Sequence, residues 1–423
     1  MSVESKTVAS LKGQLSKFSG IISKTFSKPK KRLIKEMLYG IQASKDVKLS
    51  NMARTLKESQ PLIKTEDRLS RNLDDEDFTD PINGEICRLG ASKVTDEMVI
   101  AIDPGDIRKK YAKKMEFLGR VRDGSEKEIG NGYPVCKAVA TDIESKKVIP
   151  LYCEAYSFLA EGVKSENSQL LKMIDLIFEH TGDRGIHAID RGGDRGVLYK
   201  KYLGEKKAKR FVIRLVDRDL IHQGRGRRRN CCDMAKALPT PYETVLIVYE
   251  EGKEKKKTVY YNAVPVRLPS YSHKLYLVVV KGFGMEPMML LTSCEVKKYQ
   301  KESMWRIVEY YLARWKCDES YRYIKQCYHL EDVRGRSYIS IRNIVVLVLA
   351  VSYFASVYLG QSIKLKMLVE RIFIVSKRFF GVPSFFNYAI ADGIFNLLYP
   401  DKTALQGIKP NGLDDFQLCF DFG

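Results

Sequence analysis

No CxxC pair and no HExxH run occurs anywhere in the 423 residues, and the five histidines fall at no zinc-like spacing. A nitrogen- or sulfur-ligated metal is therefore not expected, and any metal has to be hard and oxygen-bound. The nine cysteines (Cys87, Cys136, Cys153, Cys231, Cys232, Cys294, Cys317, Cys327 and Cys419) are scattered, not set at framework spacings. With no signal-peptide pattern, they read as reduced, mostly buried thiols of a cytoplasmic protein. Internal repeats and long low-complexity linkers are also missing. Only one long apolar run exists, Asn343 to Gly360, at the lower edge of membrane-spanning length. Arg336, Arg342, Lys364 and Lys366 flank it on both sides and give no orientation bias, so a buried core helix is expected, with no membrane partner.

Acidic residues are in short supply: 72 Lys and Arg stand against 52 Asp and Glu, a net charge of +20 and a pI near 9.4. Such a surface attracts polyanions, of which nucleic acid is the usual one. Hydrophobic residues at 44% and aromatics at 10% indicate a globular chain, and its length predicts two or three domains. Residues 1–64 carry fourteen Lys/Arg and four Asp/Glu, so half of the excess charge lies in that stretch. LSNMARTLKES and KTEDRLSRNL each predict a short helix, with Ser50 and Thr65 as N-caps. The pair fits a helix-turn-helix, with Arg68 and Arg71 on its second helix toward DNA, or equally a small bundle with a solvated basic face. Asp74 to Asp77 and a turn at Pro81-Ile82-Asn83-Gly84 close this unit.

From residue 96 the pattern changes. EMVIAID predicts a buried strand ending at Asp103, broken by Pro104-Gly105; PVCKAVATD and KVIPLYC predict two more. Ser165 caps an amphipathic helix bearing Leu170, Leu171, Ile174, Ile177 and Phe178, and GIHAID is a strand ending at Asp190. A β-β-β-α-β order with carboxylates at strand ends points to an α/β domain. Strands dominate 205–295 and read as an inserted antiparallel unit, its turns carrying the basic clusters 225–229 and 253–257.

YLARWKCDESYRYIK, Tyr311 to Lys325, has no Pro or Gly and predicts one helix. At about 100° per residue, Tyr311, Arg314, Asp318 and Lys325 share a stripe roughly 60° wide. Trp315, Tyr321, Tyr323 and Ile324 surround the other sides, so the helix is expected to be buried, and a buried carboxylate needs a cation, a metal or a proton. Asp103, Asp190 and Asp318 thus call for a joint explanation: clustered carboxylates repel unless a divalent cation sits between them.

The order Asp103, Asp190, Tyr311-x2-Arg314-x3-Asp318-x6-Lys325 resembles the DDE transposases of bacterial insertion sequences, in the cut-and-paste group marked by a Tyr-Arg-Glu-Lys signature. VIAIDPGDIRKKYAKKMEFLGRVRDGSEKEIGNGY, AIDRGGDRG and YHLEDVRGRSYISIRNIVVL are similar to that family as well, over roughly residues 50–360. The resemblance implies an RNase H-like catalytic core in two parts, 91–204 and 296–362, interrupted by the β insertion 205–295. It also implies a helical DNA-binding domain at 1–90 and a helical C-terminal region at 363–423. Asp103, Asp190 and Asp318 would hold two Mg²⁺ or Mn²⁺ ions, while Tyr311, Arg314 and Lys325, with Arg191 nearby, would hold DNA phosphates. The implied activity is phosphodiester hydrolysis at the element's ends and strand transfer into target DNA, by a homodimer, in the bacterial nucleoid. This chain has Asp318 where the family has Glu. Glu319 follows and points about 100° off the stripe, leaving Asp318 the better match. A catalytically silent DNA-binding derivative, or a nuclease without strand transfer, stays open beside it.

Overall fold

The computed structural model describes residues 3–122, 128–144, 147–224, 226–250, 253–360, 368, 371–372, 387–401 and 405. Contacts divide the chain into two units: Met1–Ile86 with Ile107–Gly132 and Arg322–Gly423, and Cys87–Asp106 with Tyr133–Tyr321.

Five helices open the chain: α1 (Val3–Ile22), α2 (Lys28–Ser44), α3 (Leu49–Leu56), α4 (Leu62–Asp74) and α5 (Thr79–Ala91). Pro29 stands in the first turn of α2, where its missing N–H costs nothing, and Leu33, Ile34, Met37, Leu38 and Ile41 form its buried stripe. The two predicted helices exist, but their caps are Lys48 and Pro61, not Ser50 and Thr65. Thr65 lies inside α4 and donates its hydroxyl to Glu58. Pro81 to Gly84 is not a turn but part of α5, since a proline in a first turn is compatible with a helix.

The second unit is built on a mixed sheet. Its strands are β1 (Val99–Arg108), β2 (Gly119–Arg122), β3 (Ile129–Thr141), β4 (Val148–Ala155), β5 (Ile186–Ile189), β6 (Phe211–Arg214), β7 (Asp219–His222), β8 (Arg228–Asn230), β9 (Tyr242–Glu250), β10 (Lys253–Arg267), β11 (Leu275–Lys281) and β12 (Met288–Thr292). They are ordered β2-β3-β1-β5-β6-β12-β11-β10-β7-β8, with β4 on β3 and β9 on β10. β2 and the start of β3 belong to the first unit. β1 does not stop at Asp103. Its ladder with β5 covers only Val99 to Ile102, so beyond that point Pro104 forfeits no bond on that side.

α6 (Glu166–Thr181) returns the chain to a strand parallel to β1, and α7 (Gly196–Leu203) to another parallel to β5. Ser165 caps α6 in a reciprocal box with Ser168, as predicted. β6 is therefore part of the parallel set and not of an antiparallel insertion, and β12, β11 and β10 extend the same sheet from it. Lys253 to Lys257, expected in a turn, lie in β10 along its ladder with β9. Arg225 is outside the described residues; α8 (Cys231–Ala237) follows β8. α9 (Lys301–Ala313) closes one face, packing Met304, Ile307, Val308 and Tyr311 against Val99, Ala188, Val212, Val278 and Leu290.

Tyr311 to Lys325 is not one helix. α9 ends at Ala313 and α10 (Trp315–Cys327) begins after Arg314, whose N–H bonds Tyr311 O at 3.1 Å, one residue tighter than an α-turn. In the first unit, α11 (Tyr338–Ser356) packs against α2, α4 and α12 (Asn387–Leu398). It is long and apolar enough to cross a membrane, yet 83% of its most apolar window is buried inside the protein. Its Asn343 binds Phe78 N, Leu73 O and Glu76 O, satisfying the backbone between α4 and α5. Residues 379–386, expected to be helical, lie outside the described ones.

Candidate active site

The site begins with strand register. Ile102 pairs with Ile189, and Ile189 with Ile213, across the parallel strands β1, β5 and β6. The next residue on each strand is Asp103, Asp190 and Arg214, so these three stand in a row at one edge of the parallel set. Such carboxyl edges are where sheets of this kind place ligands.

The junction between α9 and α10 meets this row. Arg314 Nη1 is 3.2 Å from Asp103 Oδ1 and 3.2 Å from Asp318 Oδ2, and Nη2 is 3.8 Å from Asp190 Oδ2. Tyr311, at the end of α9, donates its hydroxyl to Asp190 Oδ1 at 2.7 Å, and Arg214 Nη1 donates to the Tyr311 hydroxyl at 3.4 Å. Lys137, from β3, stands 2.9 Å from Asp103 Oδ2 and 3.6 Å from Asp318 Oδ1. Its Nζ also lies 4.2 Å from the centre of the Tyr321 ring, within cation–π range. Arg314 and Lys137 are 6% and 5% exposed, whereas the Asp190 and Asp318 side chains are 39% and 44% exposed. The pocket thus has a cationic floor and a carboxylate rim. Arg314 Nε is buried with no hydrogen-bond partner, a donor not yet used.

The electrostatics follow from this arrangement. Burial pushes the Asp103 carboxyl up to about 6 against the pull of Lys137; Asp318 adds to the rise and Arg314 opposes it. Burial would also raise Asp190, but the Tyr311 hydroxyl, the Arg191 N–H and the charges of Arg314 and Arg214 outweigh it and hold that carboxyl low. The two neighbouring aspartates are pushed apart, a pattern common at functional sites.

Other expected residues lie elsewhere. Glu319 accepts from Lys316 at 2.7 Å and does not join the cluster. Lys325 pairs with Glu331 at 2.8 Å in the first unit. Arg191 is exposed on the short 3-10 turn after β5. Arg68 is spent inward, 2.7 Å from Glu36 and 3.0 Å from Glu58, while Arg71 is exposed. Lys137, Arg214 and Tyr321 escaped the sequence reading. The available signal was Lys137 itself, a lysine inside the apolar run Val135-Cys136-Lys137-Ala138-Val139.

For a metal, the donor chemistry fits: three carboxylates, two of them accessible, with no competing nitrogen or sulfur ligand expected from the sequence. The positions that an ion would take are held by the chain's own cations. Among the described residues no three His, Cys, Asp or Glu side chains converge closely enough to hold one as they stand.

No protein-family model matches the chain, and no curated protein matches it. Among solved structures, it is similar to a cryo-EM structure of a piggyBac transposase synaptic complex with hairpin DNA. The match has 13% identity and a TM-score of 0.43 over 93% of this chain and 84% of that one. The functional reading rests on the residues above.

Proposed function

We propose that the chain is a DNA transposase of the DDE kind, which cuts phosphodiester bonds at the ends of an insertion sequence and joins them to target DNA. One observation carries this reading: Asp103, Asp190 and Asp318, distant in sequence, meet around Arg314 at the carboxyl edge of a parallel strand set. The β4-β3-β1 run followed by helix-connected parallel β5 and β6 supports an RNase H-like core for that site. Asp103, Asp190 and Asp318 would hold Mg²⁺ or Mn²⁺, which when bound supplies Lewis acidity and a lowered pKa for an attacking water or hydroxyl.

The chain's own residues do the rest. Tyr311 and Arg214 hold Asp190 ionised and oriented through the hydroxyl between them. Arg314, with a planar fork and an unused Nε, suits a bidentate grip on a phosphate. Arg191 and Lys325 add cations along the strand end and the helix. The basic excess draws DNA to the surface, and a homodimer bringing two ends together completes the proposal for a bacterial, nucleoid-associated enzyme.

The test is nicking of supercoiled DNA that carries the gene with its native flanks, in Mg²⁺ or Mn²⁺. Cleavage at the flanks, abolished by Asp190→Asn, is expected; intact DNA under every divalent condition would falsify the enzyme reading. A strand-transfer assay with pre-cut ends separates a transposase from a plain nuclease. Neutralisation of the carboxylates by Arg314 and Lys137 favours a second reading, a silent DNA-binding derivative. That reading gains if the wild type binds the flanks without cutting and Asp318→Glu cuts.

A further inference from the structure

We propose that Lys137 is a built-in cation of the carboxylate cluster, standing where a second divalent ion would sit and limiting the site to one ion per chain. The inference rests on the transposase reading for the identity of the site, and on the following geometry for Lys137.

A two-ion site shares carboxylates between ions about 4 Å apart. Here two aspartates are shared in the same sense between two side-chain cations. Asp103 gives Oδ1 to Arg314 and Oδ2 to Lys137, and Asp318 gives Oδ2 to Arg314 and Oδ1 to Lys137. Asp190 faces Arg314 alone of these two. An ion on the arginine side would have three carboxylates to draw on, and one on the lysine side only two.

The two cations are not equally replaceable. Arg314 has an unused Nε and a fork suited to phosphate, so DNA offers it another partner. Lys137 comes from the middle of β3 between buried Cys136 and Ala138, is 5% exposed, and has the Tyr321 ring over its ammonium. Gly105 makes the slot: a Cβ there would stand 3.1 Å from the Tyr321 ring and 3.5 Å from Lys137 Nζ. A buried ammonium withdrawn from its carboxylates has nowhere to be solvated, so it stays. Charge agrees. Three carboxylates face two cations, leaving one negative charge to balance, which one divalent ion already exceeds and two exceed badly.

Lys137 is thus a positioning residue, acting through Asp103 and Asp318. The test is Mn²⁺ binding to the full-length protein without DNA, counted by electron paramagnetic resonance, with circular dichroism as a fold check. One ion is expected for the wild type and for Lys137→Arg, two for Lys137→Met, and none for Asp103→Asn. Two ions in the wild type overturn the role of Lys137 and leave the transposase reading intact. One ion in a folded Lys137→Met does the same, as does an ion retained by Asp103→Asn. No ion in either the wild type or Lys137→Met overturns this inference and removes the metal from the proposed function too. Should Lys137→Met fail to fold, the wild-type count and Lys137→Arg still decide.

Discussion

Asp318 and Glu319 are adjacent carboxylates with different surroundings, and that difference makes the site testable one residue at a time. Asp318 is 3.2 Å from Arg314 and 3.6 Å from Lys137, whereas Glu319 is engaged by Lys316 at 2.7 Å on another side of α10. Asp318→Ala is therefore expected to lower cleavage by about 100-fold or more, the scale of losing one preorganised electrostatic group. Glu319→Ala should change it by less than about 3-fold, because exposed ion pairs contribute little. Equal losses in both variants, measured as initial nicking rates, would mean that Glu319 and not Asp318 alone serves the site. Arg314→Ala removes the group that three carboxylates share. Breaking a buried pair on one side costs about 3–5 kcal/mol, so a lower urea midpoint is expected along with loss of DNA cleavage. Its recovery in Arg314→Ala with Asp318→Asn, which lightens the negative charge, separates a charge effect from a packing effect.

Strand-end carboxylates and the helical stripe were legible in sequence because they follow local rules: apolar runs that stop, and a 3.6-residue period. The break at Arg314 was not legible, since no Pro or Gly marks it and the tightened turn coincides with the side chain that three distant aspartates engage. Parallel β6 was hidden for a related reason, because a short apolar strand does not announce its neighbour. At the element scale two predictions follow from packing. Gly40→Ala would gain up to about 1 kcal/mol of helix propensity in α2. Its Cβ, however, would stand 2.8 Å from Met52 Cβ, and overpacking costs about 1–3 kcal/mol, so a net loss of stability is expected in thermal melts. His187, on β5, is fully buried, stacked on Phe178 and bonded to the Tyr202 hydroxyl at 2.9 Å; its Nε2 has no partner. Burial lowers it to about 3 from 6.5. The unfolded chain then binds the proton more readily, so this contribution to stability is complete above about pH 6.5 and falls away as pH drops toward 3, by about 1.4 kcal/mol per pH unit. His187→Phe keeps the stack and removes the titration. Unfolding midpoints at pH 7 and pH 5 should therefore shift less in the variant than in the wild type, and parallel shifts would refute the assignment.

At the scale of the whole molecule the question is where a charge of +20 is spent. The N-terminal stretch carries half of it, yet much of that charge is turned inward within the first unit. Lys12 pairs with Asp401, Lys30 with Asp75, Lys45 with Asp392 and Lys48 with Asp332. The same helices bury Leu11, Leu15, Phe18, Leu33 and Ile34, and α2 packs on α11 and α12. Removing residues 1–64 would therefore unmake the fold of that unit, and it cannot serve as a test of DNA binding. Exposed charges are the better probe: Lys24 and Lys28 at the α1–α2 turn, and Arg227 and Arg229 beside β8. Each cation that neutralises a phosphate adds about 0.9 to the steepness with which log affinity falls against log salt. If both pairs contact DNA, Lys24→Gln with Lys28→Gln, and separately Arg227→Gln with Arg229→Gln, should each flatten that slope by about two, on any duplex sequence. Fluorescence anisotropy with a flanking-sequence duplex and an unrelated one, across a salt series, measures both effects together. A pair whose loss leaves the slope untouched belongs to solubility rather than to DNA. If neither pair alters it, the positive surface has no part in binding, and recognition must come from the pocket around Arg314.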